Sequence, residues 1–255
     1  MKSMTLYVEK NSVIHKIDPL SKLLFIFISI TITYIFPNYE VVTAVSLLSI
    51  LILMIGKVFR EIIPIIGISF LLIISIIIVQ GLFHPESKTP LFEIGMIVFY
   101  QEGLAYAFIL AMRVINMISV FGVLILTTKP DELIESLIKK GMSPKIGYVF
   151  LSVLQIIPQM KATMGKIADA QRSRGMETEG SLWIRMKAFI PLIGPVVLNS
   201  LNDTRERAIA LEVRGFNARK KKTFLNEDKK YPSPQLIKLF LSSLFIAAIV
   251  WRIWL

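Results

Sequence analysis

The chain has 255 residues, 54% of them hydrophobic and only 18% charged, whereas soluble domains average about 45–50% apolar and about 25% charged residues, so the composition indicates a membrane protein. A net charge of +11 can serve nucleic-acid binding, but in a chain with several apolar runs it more often marks cytoplasmic loops. The sequence contains no cysteine, which excludes disulfides and thiolate metal sites.

Five apolar runs are candidate membrane spans. The first is too long for the apolar part of a signal peptide and no small-residue cleavage site follows it, so we expect it to remain as the first span. Between the third and fourth runs, residues 84–103 form a nearly neutral loop that we expect at the membrane interface. The runs cover residues 23–37, 40–56, 62–83, 104–127 and 236–254.

Lysine and arginine are unevenly distributed among the connections. Residues 57–61 and 129–230 are basic, whereas the 38–40 turn has no Lys or Arg and the 84–103 loop has only Lys88. Short loops rich in Lys and Arg stay on the cytoplasmic side of a membrane. We therefore expect the N-terminus and the 129–230 region to be cytoplasmic.

The region that follows the fourth run is amphipathic. A short helix is predicted to end at Lys140, before Gly141, and longer helices are predicted over residues 145–172 and 182–213, where apolar residues recur three and four apart. These helices are too polar on one face to be ordinary spans, so they either lie on the membrane surface or form a cytoplasmic arm. We expect bends or breaks at their internal prolines, which are Pro158, Pro191 and Pro195.

Both long amphipathic helices end in the same short pattern. Residues 168–176 and 208–216 each read Ala-x-Ala-x-x-x-Arg-Gly-apolar, forty positions apart. Gly readily takes the left-handed conformation just past a helix C-terminus, so Arg174 and Arg214 should each lie on a last turn. One such end would be read as a capped surface helix with a solvated Arg, but two matched ends favour a pair of docking sites.

These two patterns resemble the paired Ala-Arg-Gly-type signatures of the transmembrane T component of energy-coupling factor (ECF) transporters, which include cobalt, nickel and vitamin uptake systems. Residues 12–22 are similar to that family's segment before its first span. Residues 127–133 also resemble the family. The resemblance therefore covers nearly the whole chain. Ser173 and Val213 stand where the family often has Ala.

We predict an all-α polytopic membrane protein with about five transmembrane helices and a cytoplasmic arm of amphipathic coupling helices. The membrane domain would cover residues 1–128, the arm 129–218, a basic linker 219–235 and the last span 236–255. The chain would cross the plasma membrane of a bacterium or archaeon several times.

The resemblance also implies a function. The chain would be a scaffold that joins two cytoplasmic ATP-binding subunits to a substrate-binding membrane subunit, for uptake of a vitamin or a metal ion. The residues expected to contact the ATP-binding subunits are Ser173, Arg174, Gly175, Val213, Arg214 and Gly215.

Residues for catalysis, a cofactor or a metal ion are not apparent in the sequence. It has no Gly-x-x-x-x-Gly-Lys-Ser/Thr loop and no His-Glu-x-x-His pair, and its histidines are His15 and His84. We therefore expect no enzyme activity and no bound cofactor. We expect no nucleic-acid partner either, because no base-reading fold accompanies the basic linker. The simpler interpretation is that the linker contacts anionic lipid headgroups.

Arg113 is the one clear ionisable residue inside a predicted span. An intramembrane Arg is costly and usually pairs within the bundle, so we expect either a structural pair, with Glu102 as the candidate, or a contact with a partner membrane subunit. Small residues four apart on the same helix predict a close helix contact, most simply within the chain. They are Gly103, Ala107 and Ala111.

Two rival functions remain. A secondary transporter that carries its own substrate needs polar groups near the midplane of broken spans, and only Arg113 meets that requirement. A membrane-bound enzyme needs an acid–base or metal cluster, which the sequence lacks.

Overall fold

A computed structural model describes residues 6–85, 89–94, 97–175, 181–218 and 234–254. The chain divides into a membrane unit, Met1–Leu137 with Asp228–Leu255, and a second unit, Ile138–Glu227. Most of the predicted basic linker, together with Lys88 and Met176, lies outside the described residues. In chain order the elements are a 3-10 turn Ile14–Lys16, α1 Pro19–Ile35, α2 Tyr39–Ile55, α3 Phe59–Phe83, β1 Pro90–Ile94, β2 Ile97–Tyr100, α4 Gln101–Thr127, α5 Pro130–Lys139, α6 Pro144–Ser173, α7 Leu182–Val213 and α8 Pro234–Trp254.

Among the described residues, α3, α4 and α8 are long and apolar enough to cross a membrane. The apolar helices α1 and α2 have 17 residues each, which at 1.5 Å per residue is roughly 26 Å, near the lower limit for a span. The predicted class of an all-α membrane protein is thus confirmed, with two shorter apolar helices beside three long ones.

The helix α4 is the centre of the membrane unit, because it packs against α1, α2 and α3. The small residues Gly103, Ala107 and Ala111 are buried on one face of α4. A Cβ atom added at Gly103 would overlap the carbonyl oxygen of Gln80 in α3. The predicted close contact is therefore confirmed, and the partner is α3. The helix α8 packs on α1, where Phe245 and Ala248 lie against the buried cluster of Ile28, Ile32 and Phe36.

A short β-hairpin lies between α3 and α4, where the sequence indicates a loop. The strands β1 and β2 pair antiparallel, with Glu93 opposite Val98 and Ile94 opposite Ile97. The Phe99 side chain approaches Gly81 of α3 so closely that a Cβ atom there would lie 2.9 Å from its ring. Pairing satisfies backbone groups that water would satisfy less well near a membrane.

The second unit contains α6 and α7, which pack as an antiparallel pair. Gln159 donates to Asp203 Oδ2 at 2.9 Å, Arg207 donates to Gln159 Oε1 at 2.6 Å, and the rings of Tyr148 and Phe216 lie 5.4 Å apart between centroids. Residues later in α6 thus meet residues earlier in α7. Both helices continue through their internal prolines without a break.

Candidate partner-binding site at two helix ends

The end of α6 has the geometry that its Arg-Gly pair predicts. Ser173 is the last helical residue, Arg174 is the C-cap, and Gly175 has φ +88°. The Gly175 N–H donates to the carbonyl oxygen of Arg172 at 2.9 Å, which closes the last turn. A Cβ atom on Gly175 would meet nothing within 4 Å, so the left-handed backbone, rather than lack of space, favours glycine there.

The end of α7 repeats this geometry. Val213 is the last helical residue, Arg214 is the C-cap, and Gly215 has φ +70°. Two hydrogen bonds of 2.9 Å close the turn: Gly215 N–H donates to the carbonyl of Glu212, and Phe216 N–H to that of Leu211. This is the Schellman arrangement. The predicted left-handed glycines are confirmed at both ends, and also at Gly141 after α5, with φ +115°.

The two arginines are exposed, and among the described residues neither side chain makes a hydrogen bond or ion pair. Beside Arg174, Ser173 Oγ donates back to the carbonyl of Asp169 at 3.1 Å. Beside Arg214, Val213 is 84% exposed. Each end therefore presents a guanidinium next to a small or apolar side chain, at the negative end of a helix dipole.

The two ends lie far apart within the second unit. The contact between Phe216 and Tyr148 places the end of α7 beside the first turns of α6. Arg174 lies at the opposite end of this 30-residue helix, which is roughly 45 Å long at 1.5 Å per residue. The pair of arginines is therefore suited to two separate binding surfaces rather than to one pocket.

Comparison with known proteins identifies the family. A family model described as CbiQ, cobalt transport protein, matches residues 10–224. The chain is 32% identical over 226 residues to the energy-coupling factor transporter transmembrane protein EcfT of Streptococcus equi subsp. equi, covering 82% of this chain and 81% of that relative.

The chain belongs to the family of ECF transporter T components. The EcfT protein of Clostridium kluyveri is 30% identical over 262 residues, covering 97% of this chain and 96% of its own length. That of Macrococcus caseolyticus is 30% identical over 224 residues, covering 82% and 83%. T components are membrane proteins of a multi-component transporter and are not themselves catalytic.

In this T component Arg113 joins α4 to the last turn of α1. Its Nε donates to the carbonyl oxygen of Thr33 at 3.0 Å, and its guanidinium lies 4.6 Å from the ring centroid of Tyr34. The expected pair with Glu102 is wrong: that carboxylate accepts hydrogen bonds from Thr89. Residues 102 and 113 lie roughly 16 Å apart along one helix axis, beyond the reach of the two side chains.

A polar cluster inside the bundle was missed by the sequence analysis. Asn116 is fully buried, and its Oδ1 accepts hydrogen bonds from Ser29 Oγ at 3.1 Å and Ser49 Oγ at 2.8 Å. It therefore links α4 to α1 and α2 by the interhelical bonds that hold spans together. Polar residues within apolar runs were the available signal, but their pairing depends on packing.

Residues 6–18, which we call the N-terminal segment, fold against the end of α4. Val8 N–H donates to the carbonyl of Leu126 at 3.1 Å. Glu9 accepts a hydrogen bond from Lys129 at 3.3 Å, and this bond raises the pKa of Lys129.

Burial lowers the pKa of His15 in this segment, so the ring is neutral near pH 7. The Nε2 atom lies 2.9 Å from the carbonyl oxygen of Val8, which can only accept, so Nε2 carries the proton. The Nδ1 atom then accepts from the Ser12 hydroxyl at 2.7 Å. The segment is thus held by a defined hydrogen-bond chain.

Proposed function

We propose that this T component couples two cytoplasmic ATP-binding subunits to a substrate-binding membrane subunit, for uptake of a vitamin or a metal ion. The observation that carries the proposal is the pair of matched, exposed Arg-Gly ends. One ends α6, and the other ends α7 beside the first turns of α6, so the two lie far apart. Family membership supports a role within a multi-component transporter.

Each arginine would bind a carboxylate in a groove of one ATP-binding subunit. A guanidinium donates two parallel hydrogen bonds to a carboxylate, and a helix end presents it without steric hindrance. The neighbouring residues Ser173, Gly175, Val213 and Gly215 would form the rest of the contact surface. The separation of the ends favours one subunit at each end.

Motion of the ATP-binding subunits would pass along α6 and α7. These helices are joined by the hydrogen bonds among Gln159, Asp203 and Arg207, so displacement at one end moves both. An apolar stripe on α6 is about half exposed and is the surface that we propose for the substrate-binding membrane subunit. It consists of Ile146, Val149, Phe150, Val153 and Ile157.

The proposal predicts that ATP hydrolysis depends on assembly. Purified T component should hydrolyse no ATP above a blank, because its sequence has no phosphate-binding loop. Co-expression with two ATP-binding subunits should give a stable complex that hydrolyses ATP, measured by affinity purification and phosphate release. Hydrolysis by the T component alone, or failure to co-purify, would contradict the proposal.

We also propose that the N-terminus and the second unit are cytoplasmic. The reason is that Lys and Arg concentrate in residues 57–61 and 129–230, and short loops rich in Lys and Arg stay on the cytoplasmic side. A single cysteine is a unique label, since the chain has none. Cysteines at Asn38 or within residues 84–90 should react with an impermeant maleimide added outside intact cells. Asn217→Cys, at a position that is exposed in the structure, should react only after permeabilisation. Labelling of this cysteine from outside would show that the proposed topology is wrong.

A further inference from the structure

We propose that Lys22 is a positioning residue that holds the junction between α4 and α5, residues 126–129, and so transmits motion of the second unit into the membrane unit. The inference rests on the proposed coupling function. It concerns a residue far along the chain from the Arg-Gly ends and therefore has its own test.

Lys22 lies in the first turn of α1 and is only 4% exposed. Its ammonium donates to three oxygens of the junction: the Thr127 carbonyl at 3.0 Å, Thr127 Oγ1 at 2.9 Å and Thr128 Oγ1 at 2.9 Å. An ammonium has three N–H donors. The buried cation is therefore fully satisfied, and all three of its bonds go to the same two residues.

The acceptors are of the kind that a helix end leaves open. Thr127 ends α4, and its carbonyl is one of the last four that lack a partner within a helix. Its hydroxyl donates to the Val123 carbonyl, so a lone pair is left for Lys22. A positive charge also complements the negative end of the α4 dipole. Lys22 thus acts as a C-cap supplied from another helix.

The start of α1 also holds α8, the helix that follows the second unit in the chain. The chain passes between the units after Leu137 and again before Asp228. On the first path, Lys22 fixes the junction from which α5 begins. On the second path, Asp18, directly before α1, forms an ion pair with Lys238 near the start of α8. The start of α1 therefore holds both the junction before α5 and the beginning of α8.

From this arrangement it follows that removing the Lys22 charge loosens the junction while the Arg-Gly ends stay intact. Lys22→Met keeps the length of the side chain and removes its donors. The transporter should still assemble with its ATP-binding subunits and hydrolyse ATP. Substrate uptake per ATP hydrolysed should fall about tenfold or more, because the variant removes all three bonds and the loss of one charge-assisted hydrogen bond already corresponds to about tenfold.

The direct readout is a spin-label distance in the assembled transporter. Labels on Lys16→Cys and Asp131→Cys, both exposed, report on the start of α1 and of α5. The distance distribution should broaden in Lys22→Met. The control is Lys161→Met, which removes an exposed lysine of α6 and leaves every bond of the junction in place. It should change neither the distribution nor the coupling ratio.

If Lys22→Met does not assemble, Thr128→Val tests the inference by the same spin-label distance and the same uptake per ATP hydrolysed. This variant removes one acceptor and keeps the side-chain shape. Relative to the original chain, Thr128→Val should broaden the distance distribution and lower the coupling ratio. An unchanged distribution and ratio in the variant that assembles would overturn the inference. If distances broaden while Arg174→Ala with Arg214→Ala couples normally, the junction role stands and the proposed function fails.

Discussion

Replacing Arg174 and Arg214 together with Ala is expected to separate this T component from its ATP-binding subunits and abolish uptake. Each substitution removes charge-assisted hydrogen bonds worth roughly 1.5–3 kcal/mol and leaves a partner carboxylate buried and unpaired. Each single variant should therefore weaken assembly by about tenfold or more, and the double variant more severely. Folding should be unaffected, since both side chains are exposed. Co-purification and uptake measure the effect.

Three further variants sharpen this test. Lys at either position should rescue only in part, because an ammonium lacks the planar fork that binds a carboxylate through two bonds. Arg205→Ala is the matched control, since Arg205 is exposed on α7 but away from its end. Arg219→Ala, in the basic linker, should also have almost no effect. A double Ala variant that assembles and transports normally would mean that both arginines are only solvated helix ends.

The substitution Gly103→Ala is expected to destabilise the membrane unit strongly. Its Cβ atom would overlap the Gln80 carbonyl oxygen, which belongs to backbone and cannot rotate away. Overpacking of a core typically costs about 1–3 kcal/mol, and here a whole helix must shift, so we expect the upper part of that range or more. The thermal unfolding temperature in detergent should fall by several degrees, and the yield of folded protein should fall with it.

The control for this prediction is Gly67→Ala in α3. A Cβ atom on Gly67 would meet nothing within 4 Å, and Ala is a better helix former than Gly by about 1 kcal/mol. This variant should be as stable as the original chain or more stable. Equal melting temperatures for the two alanine variants would show that α3 and α4 are not in close contact at Gly103.

Features governed by local chemistry could be predicted from the sequence. The helix ends at Gly141, Gly175 and Gly215 follow from the low cost of left-handed glycine, and all three have positive φ. The small-residue face of α4 likewise follows from helical spacing. The long amphipathic helices could be placed because their apolar periodicity is strong over about thirty residues.

Features that depend on packing between distant parts of the chain could not be predicted. The sequence does not show that Lys22 meets Thr127 or that Asn116 meets Ser29, because these pairs form only when α1 packs on α4. The hairpin before α4 was missed because its strands have only five and four residues. The Arg113–Glu102 pair was wrong because α4 begins at Gln101, so helical rise separates the two side chains along one helix.

Site-specific cross-linking tests the central claim most directly. A photoreactive group attached to Arg174→Cys or Arg214→Cys, in a chain without other cysteines, should form adducts with the ATP-binding subunits of the assembled transporter. Arg205→Cys should form few or none. Adducts with ATP-binding subunits from both Arg-Gly ends, one subunit at each end, are the result we predict. An intact complex in which neither end cross-links to an ATP-binding subunit would contradict the account.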